Sequence, residues 1–119
     1  MITQYDVYAL LSQQIPQLAS KPYPSRGSLI IYASMNYFTD FTRHAVEDHN
    51  FQQAKKCFAL AEDLYLHGDA IVKLLIENSF IYSITPLRSM NAADKFMTRA
   101  IIPEVLFTVY LKQAQATGL

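Results

Sequence analysis

The sequence predicts an all-α fold, a compact bundle of five or six antiparallel helices, on three observations. First, the stretch from Asn50 to Tyr82 reads as two consecutive amphipathic helices joined at Gly68 and Asp69. In the first of them Phe51, Ala54, Phe58, Ala61 and Tyr65 recur at steps of three and four, which puts large and small apolar groups on one stripe. Second, capping patterns stand ahead of apolar-periodic runs: Thr3 with Asp6, Asn50 with Gln53, and Asn91 with Asp94. Third, no segment sustains period-two alternation. Leu29-Ile30-Ile31-Tyr32 has the composition of a short buried strand, but its continuation into Ala33, Met35 and Phe38 at helical spacing favours helix.

Helix one is expected from about Gln4 to Ile15, carrying Val7, Leu10, Leu11 and Ile15, with Leu18 continuing the spacing. Pro16 removes an amide donor and disfavours helix at the preceding residue, so it kinks or ends the helix there. Lys21-Pro22-Tyr23-Pro24-Ser25-Arg26-Gly27-Ser28 is a stiff, turn-rich connection. Helix two spans roughly Leu29 to Glu47, with Ile30, Ala33, Tyr37, Phe41 and Ala45 as its main stripe and Leu29, Tyr32, Met35 and Phe38 widening it. That width suits a central helix with more than one neighbour.

Helix three is expected to end on Gly68 in the left-handed conformation of a C′ glycine, with Asp69 capping helix four. Val72, Leu75, Ile76, Ser79, Phe80 and Ser83 give helix four broad adjoining stripes, and Pro86 stops it near Ile84. Asn91 opens helix five, and Pro103 kinks or divides the remaining helical pattern, leaving Val105, Leu106, Val109 and Tyr110 on one apolar face. Residues after Gln115 are expected to fray.

A chain of 119 residues fits one helical domain, residues 1–119. Ten lysines and arginines balance ten aspartates and glutamates, so no net field draws phosphate backbones or an anionic membrane, and neither nucleic acid nor membrane is expected as a partner. Half the residues are hydrophobic and few are charged, an excess of apolar surface that points to a partner. The lone Cys57 cannot form an intramolecular disulfide and reads as a small buried thiol. The start lacks the basic and apolar run of a secretory signal, and no segment has the ~18 or more consecutive apolar residues of a membrane span, so a soluble, cytoplasmic protein is expected.

No motif specifies catalysis or a cofactor, and none of either is expected. Asp40, His44 and Asp48 recur every four residues on helix two, with Glu47 and His49 nearby, and a divalent metal is the sharpest chemistry this face suggests. A solvated polar face is the plainer reading, because the chain lacks the Glu-x-x-His pattern of bundle metal sites. His67 stands where a histidine complements a helix C-terminus. Ser25-Arg26-Gly27 reads as a turn and cap ahead of helix two, with anion binding the lesser reading. Tyr5, Tyr8, Tyr32, Tyr37, Tyr65, Tyr82 and Tyr110 combine apolar area with a hydroxyl, which suits core edges and interfaces. Asn78 and Ser79 interrupt the apolar surface of helix four, either to let helices approach or to line a pocket with Tyr82.

Ala54-x3-Phe58-x2-Ala61, with Phe38 and Phe41 before it, resembles one tetratricopeptide-type helix hairpin. Thr42, Ala45 and Leu66 stand where that repeat usually has Gly, Tyr and Pro, so the resemblance implies a shared hairpin packing pattern. The segments Ala61-Glu62-Asp63-Leu64-Tyr65-Leu66-His67-Gly68-Asp69 and Asn78-Ser79-Phe80-Ile81-Tyr82-Ser83 resemble those of a family of small, uncharacterised bacterial all-helical proteins. That resemblance implies a self-contained helical domain and no particular activity. The expected function is a non-enzymatic module that binds a protein or peptide, a homodimer being one form of this, through Tyr82, Val105, Leu106, Val109 and Tyr110. The alternative is a small-molecule-binding or metal-binding bundle.

Overall fold

The frame of the molecule is a pair of long helices joined by a short turn and packed on each other. In the computed structural model, which describes residues 1–84 and 91–117, these are α2 (Gly27–Glu47) and α3 (Phe51–His67). Before them come α1 (Val7–Gln14) and a 3₁₀ turn at Pro16–Ser20. After them, α4 covers residues 70–84, as Ala70–Leu75, a π-helical segment Ile76–Ile81, and Tyr82–Ile84. The last two helices are α5 (Ala92–Ile101) and α6 (Glu104–Thr117). No strand occurs among the described residues, and the all-α expectation holds. The expected stop at Pro86 lies outside them.

Helix one starts later than expected. Asp6 uses its carboxylate to accept the Thr3 amide and hydroxyl, both at 2.9 Å, which hold its pKa below the usual carboxylate value and stabilise a turn ahead of Val7. Leu18 remains buried although it lies in the 3₁₀ turn that Pro16 begins. The carbonyl of Gln14, left over at the end of α1, accepts the ammonium of Lys56 from α3 at 2.7 Å.

The buried side of α2 is rotated from its expected stripe. Ile31, Ser34, Met35, Phe38, Thr39, Thr42, Ala45 and Val46 are buried, whereas Tyr37 and Phe41 are half-buried and Leu29 and Tyr32 exposed. The reason is that threonine can bury its hydroxyl in a helix by donating to the carbonyl four residues back. Thr39 does so to Met35 at 2.7 Å and Thr42 to Phe38 at 2.9 Å. On α3 the centre of the expected stripe is observed, with Ala54, Phe58 and Ala61 buried beside Cys57 and Leu64, while its ends Phe51 and Tyr65 are half-buried.

The left-handed residue is not where the sequence put it. Gly68 has φ −76° and ψ 158°, an extended conformation open to any residue. The positive φ, 59°, belongs to His49, where the amide of Asn50 reaches the Ala45 carbonyl and that of His49 reaches Val46, the two bonds of a Schellman ending. Gly68 is required for a different reason: a Cβ there would lie 2.3 Å from the Leu64 carbonyl oxygen and 2.5 Å from a Val72 methyl. The bare backbone also lets the N-terminus dock alongside. Ile2 donates to the His67 carbonyl at 2.6 Å and accepts from the Asp69 amide at 2.8 Å, forming an isolated parallel bridge. Asp69 then caps α4 as expected, accepting the Val72 amide with one oxygen and the Gln4 amide with the other, each at 3.0 Å.

The core gathers around Phe80, which stacks on Phe38 at 5.0 Å and meets Phe58 edge-on at 6.0 Å. Val72, Ile76 and Phe80, all fully buried, recur at strict steps of four. In an α-helix each such step overshoots one turn by about 40°, so the row drifts off the core. The π segment winds more residues into a turn and keeps the row facing inward.

Pro103 divides the C-terminal pattern into two helices. Ile102 is extended (φ −78°, ψ 124°), and Arg99 clasps the corner with its guanidinium 3.7 Å from the Phe107 ring centroid and 3.1 Å from a Glu104 carboxylate oxygen. Asn91 caps α5 through the Asp94 amide, and the Asp94 carboxylate meets His49 at 3.0 Å. Fraying was expected after Gln115, but α6 stays helical to Thr117.

Candidate partner-binding cleft

The π segment decides what the surface between α4 and α6 looks like. By keeping Ile76, Phe80 and Ile81 buried, it leaves Glu77 half-buried and Asn78 exposed beside α6. Together with Tyr65 of α3 and Val109, Lys112 and Gln113 of α6, these two residues line a cleft of about 250 Å³. Its polar geometry is specific. The Tyr65 hydroxyl donates to a Glu77 carboxylate oxygen at 2.8 Å, a bond that raises the tyrosine pKa, aided by burial. The Gln113 amide donates to the Glu77 backbone carbonyl and so ties α6 to the π turn.

Of the expected partner-binding residues, Val109 lines this cleft and Tyr82 is 59% exposed on α4. Leu106 is fully buried and closes the core, which corrects its assignment to an interface; Pro103 does not angle it away from the bundle, because α6 packs back onto the π segment. Val105 and Tyr110 are half-buried against the same core. Sequence reasoning missed Tyr65, Glu77, Lys112 and Gln113 as one group, since they come from three helices. The available signal was the strict spacing of Val72, Ile76 and Phe80.

Asp40, His44 and Asp48 are not gathered into a metal site. Eight residues of helix separate Asp40 from Asp48, about 12 Å of rise, and Asp40 is paired with Arg43 at 2.7 Å. Among the described residues no group of three or more His, Cys, Asp or Glu could hold an ion. His44 and Asp48 instead line a cavity of about 360 Å³ with Gln17, Phe41, Ala45, Asn50 and Gln53. Cys57 is buried, and burial pushes its thiol pKa up, with the Thr42 hydroxyl and Lys56 pulling the other way. Arg26 precedes α2 without a side-chain cap, and Ser25 and Gly27 beside it are exposed. Of the tyrosines in the N-terminal half, Tyr37 packs against the core while Tyr5 and Tyr32 are exposed. Tyr8, Tyr23 and Tyr37 form an edge-to-face row, with Tyr23 bonded to the Leu18 carbonyl and Tyr37 to that of Pro22, each at 2.7 Å.

The family described as a domain of unknown function, DUF7674, matches residues 8–116. The chain belongs to this family. The DUF7674 match reaches from α1 into α6, consistent with the resemblance to an uncharacterised family, and lends nothing to the tetratricopeptide-type hairpin. Neither a curated protein nor a solved structure shows a significant match. No helix among the described residues of this DUF7674 chain is long and apolar enough to cross a membrane.

Proposed function

We propose that this DUF7674 domain is a non-enzymatic module that binds a protein or peptide on the face shared by α4 and α6. One observation carries the reading: Leu74 and Tyr82, each four residues from the cleft-lining Asn78 on α4, are 51% and 59% exposed. Exposed aromatic and aliphatic side chains beside a polar notch are the usual makings of a binding hot spot. The buried, weakly acidic Cys57 supports leaving catalysis out. The lone cysteine supports a reducing cytoplasmic setting, and the resemblance to small bacterial proteins supports a bacterial source.

The test is a photo-crosslinking amino acid placed at position 82, in the host cell, with position 32 as control, since Tyr32 is 48% exposed on α2. A discrete crosslinked product at 82 and none at 32 is expected. No product at 82, or the same products at both, refutes the reading. Sedimentation of the product separates a second copy of this chain from a different protein. The alternative, small-molecule binding, is favoured by the cavity of about 360 Å³ around His44 and Asp48, a volume within the usual range of ligand pockets.

A further inference from the structure

The α4–α6 cleft is lined by two opposite charges, and among the described residues neither has an ion-pair partner. Glu77 is a half-buried residue, and among the described residues its carboxylate is hydrogen-bonded only by the Tyr65 hydroxyl. The Lys112 ammonium makes no ion pair or hydrogen bond with any described residue. The two side chains line the same cleft without an ion pair between them, so one ligand can engage both. At about 250 Å³ the cleft falls below the usual range of whole small-molecule sites, and its size suits side chains projecting from a larger partner.

From this charge complementarity we infer that the occupant is a peptide segment presenting a basic and an acidic side chain together, the basic group on Glu77 and the acidic one on Lys112. The inference rests on the reading of this face as the binding surface. Tyr65 prepares the site by holding one carboxylate oxygen in place, so the other is left to accept from an ammonium or guanidinium. The aliphatic stem of the incoming base lies over Val109, and the Asn78 carboxamide, a donor and an acceptor, serves the backbone between the two charges. Leu74 and Tyr82 supply the apolar area that such an ion pair alone does not.

Selection of a displayed library of random short peptides against the intact protein tests this. Binders should be enriched in Lys or Arg close to Asp or Glu. The basic preference should vanish in a selection on Glu77→Gln, and the acidic preference in one on Lys112→Gln. Glu77→Gln keeps an oxygen that can accept from Tyr65, so the fold is expected to survive. A synthesised binder should lose about tenfold in affinity for each variant by calorimetry. Binders that weaken with Tyr82→Glu and Leu74→Glu but ignore both Gln variants overturn the charge assignment and leave the binding surface standing. No binders at all, or binders indifferent to all four changes, overturn both.

Discussion

Phe80→Ala tests the core and the π segment together. Phe80 is fully buried, and its ring touches both Phe38 at 5.0 Å and Phe58 at 6.0 Å, so truncation removes a large apolar side chain and two aromatic pairs. Burial and cavity costs for Phe→Ala run to about 3–5 kcal/mol. Each aromatic pair contributes about 0.5–1.5 kcal/mol beyond its area, which sets the expectation at the upper end, about 4–5 kcal/mol. Against a total of about 6–18 kcal/mol for a chain of this length, that is roughly a fifth or more of the stability. Guanidinium unfolding followed by circular dichroism measures it: the midpoint should drop sharply while the slope stays constant. Phe96→Ala is the matched control, since Phe96 is 73% exposed and its loss should change stability by about 0.5 kcal/mol or less. A loss below about 1.5 kcal/mol at Phe80, or equal losses at both sites, refutes the packing argument.

Asp69→Ala should cost roughly 2 kcal/mol by the same assay, because its carboxylate serves both the Val72 and Gln4 amides; a change under 0.5 kcal/mol, about the least a lost cap costs, would mean neither bond contributes. Gly68→Ala should destabilise by about 1–3 kcal/mol through overpacking against Leu64 and Val72 although its φ is permissive, and a neutral result sinks that account. Stability should decline as pH rises from 9.0, the ordinary Cys57 value, through 10.0, that of Tyr23 and Tyr65. All three folded values are raised, so in that window the unfolded chain holds fewer protons than the folded one and is favoured by each further step upward. Unfolding free energies that stay flat across the window, or a Tyr65→Phe variant that declines more steeply than the parent, contradict this. Zinc or manganese should leave the melting temperature unchanged; a shift that vanishes in both Asp40→Ala and His44→Ala would restore a metal site on α2.

Helix α3, its Asn50 start, the Asp69 and Asn91 caps and the break at Pro103 were all legible in the sequence. Each depends on a few neighbouring residues whose preference no distant contact overrides. Polarity along the chain, taken alone, misassigned the inner face of α2, because Thr39 and Thr42 bury hydroxyls that they satisfy within their own helix. Local preference likewise pointed to Gly68 for the left-handed position. Tertiary packing decided otherwise: the approach of Val72 and the docking of Ile2 claim that glycine for space, and His49 takes the strained turn. Val109 was visible as a partner-binding candidate and Tyr65 as a tyrosine suited to a core edge or interface, but Glu77 and Lys112 were not. Periodicity reports which side of one helix is apolar. Only the packing of α3, α4 and α6, with the π turn that aligns Ile76 and Phe80, determines which polar side chains from different helices meet.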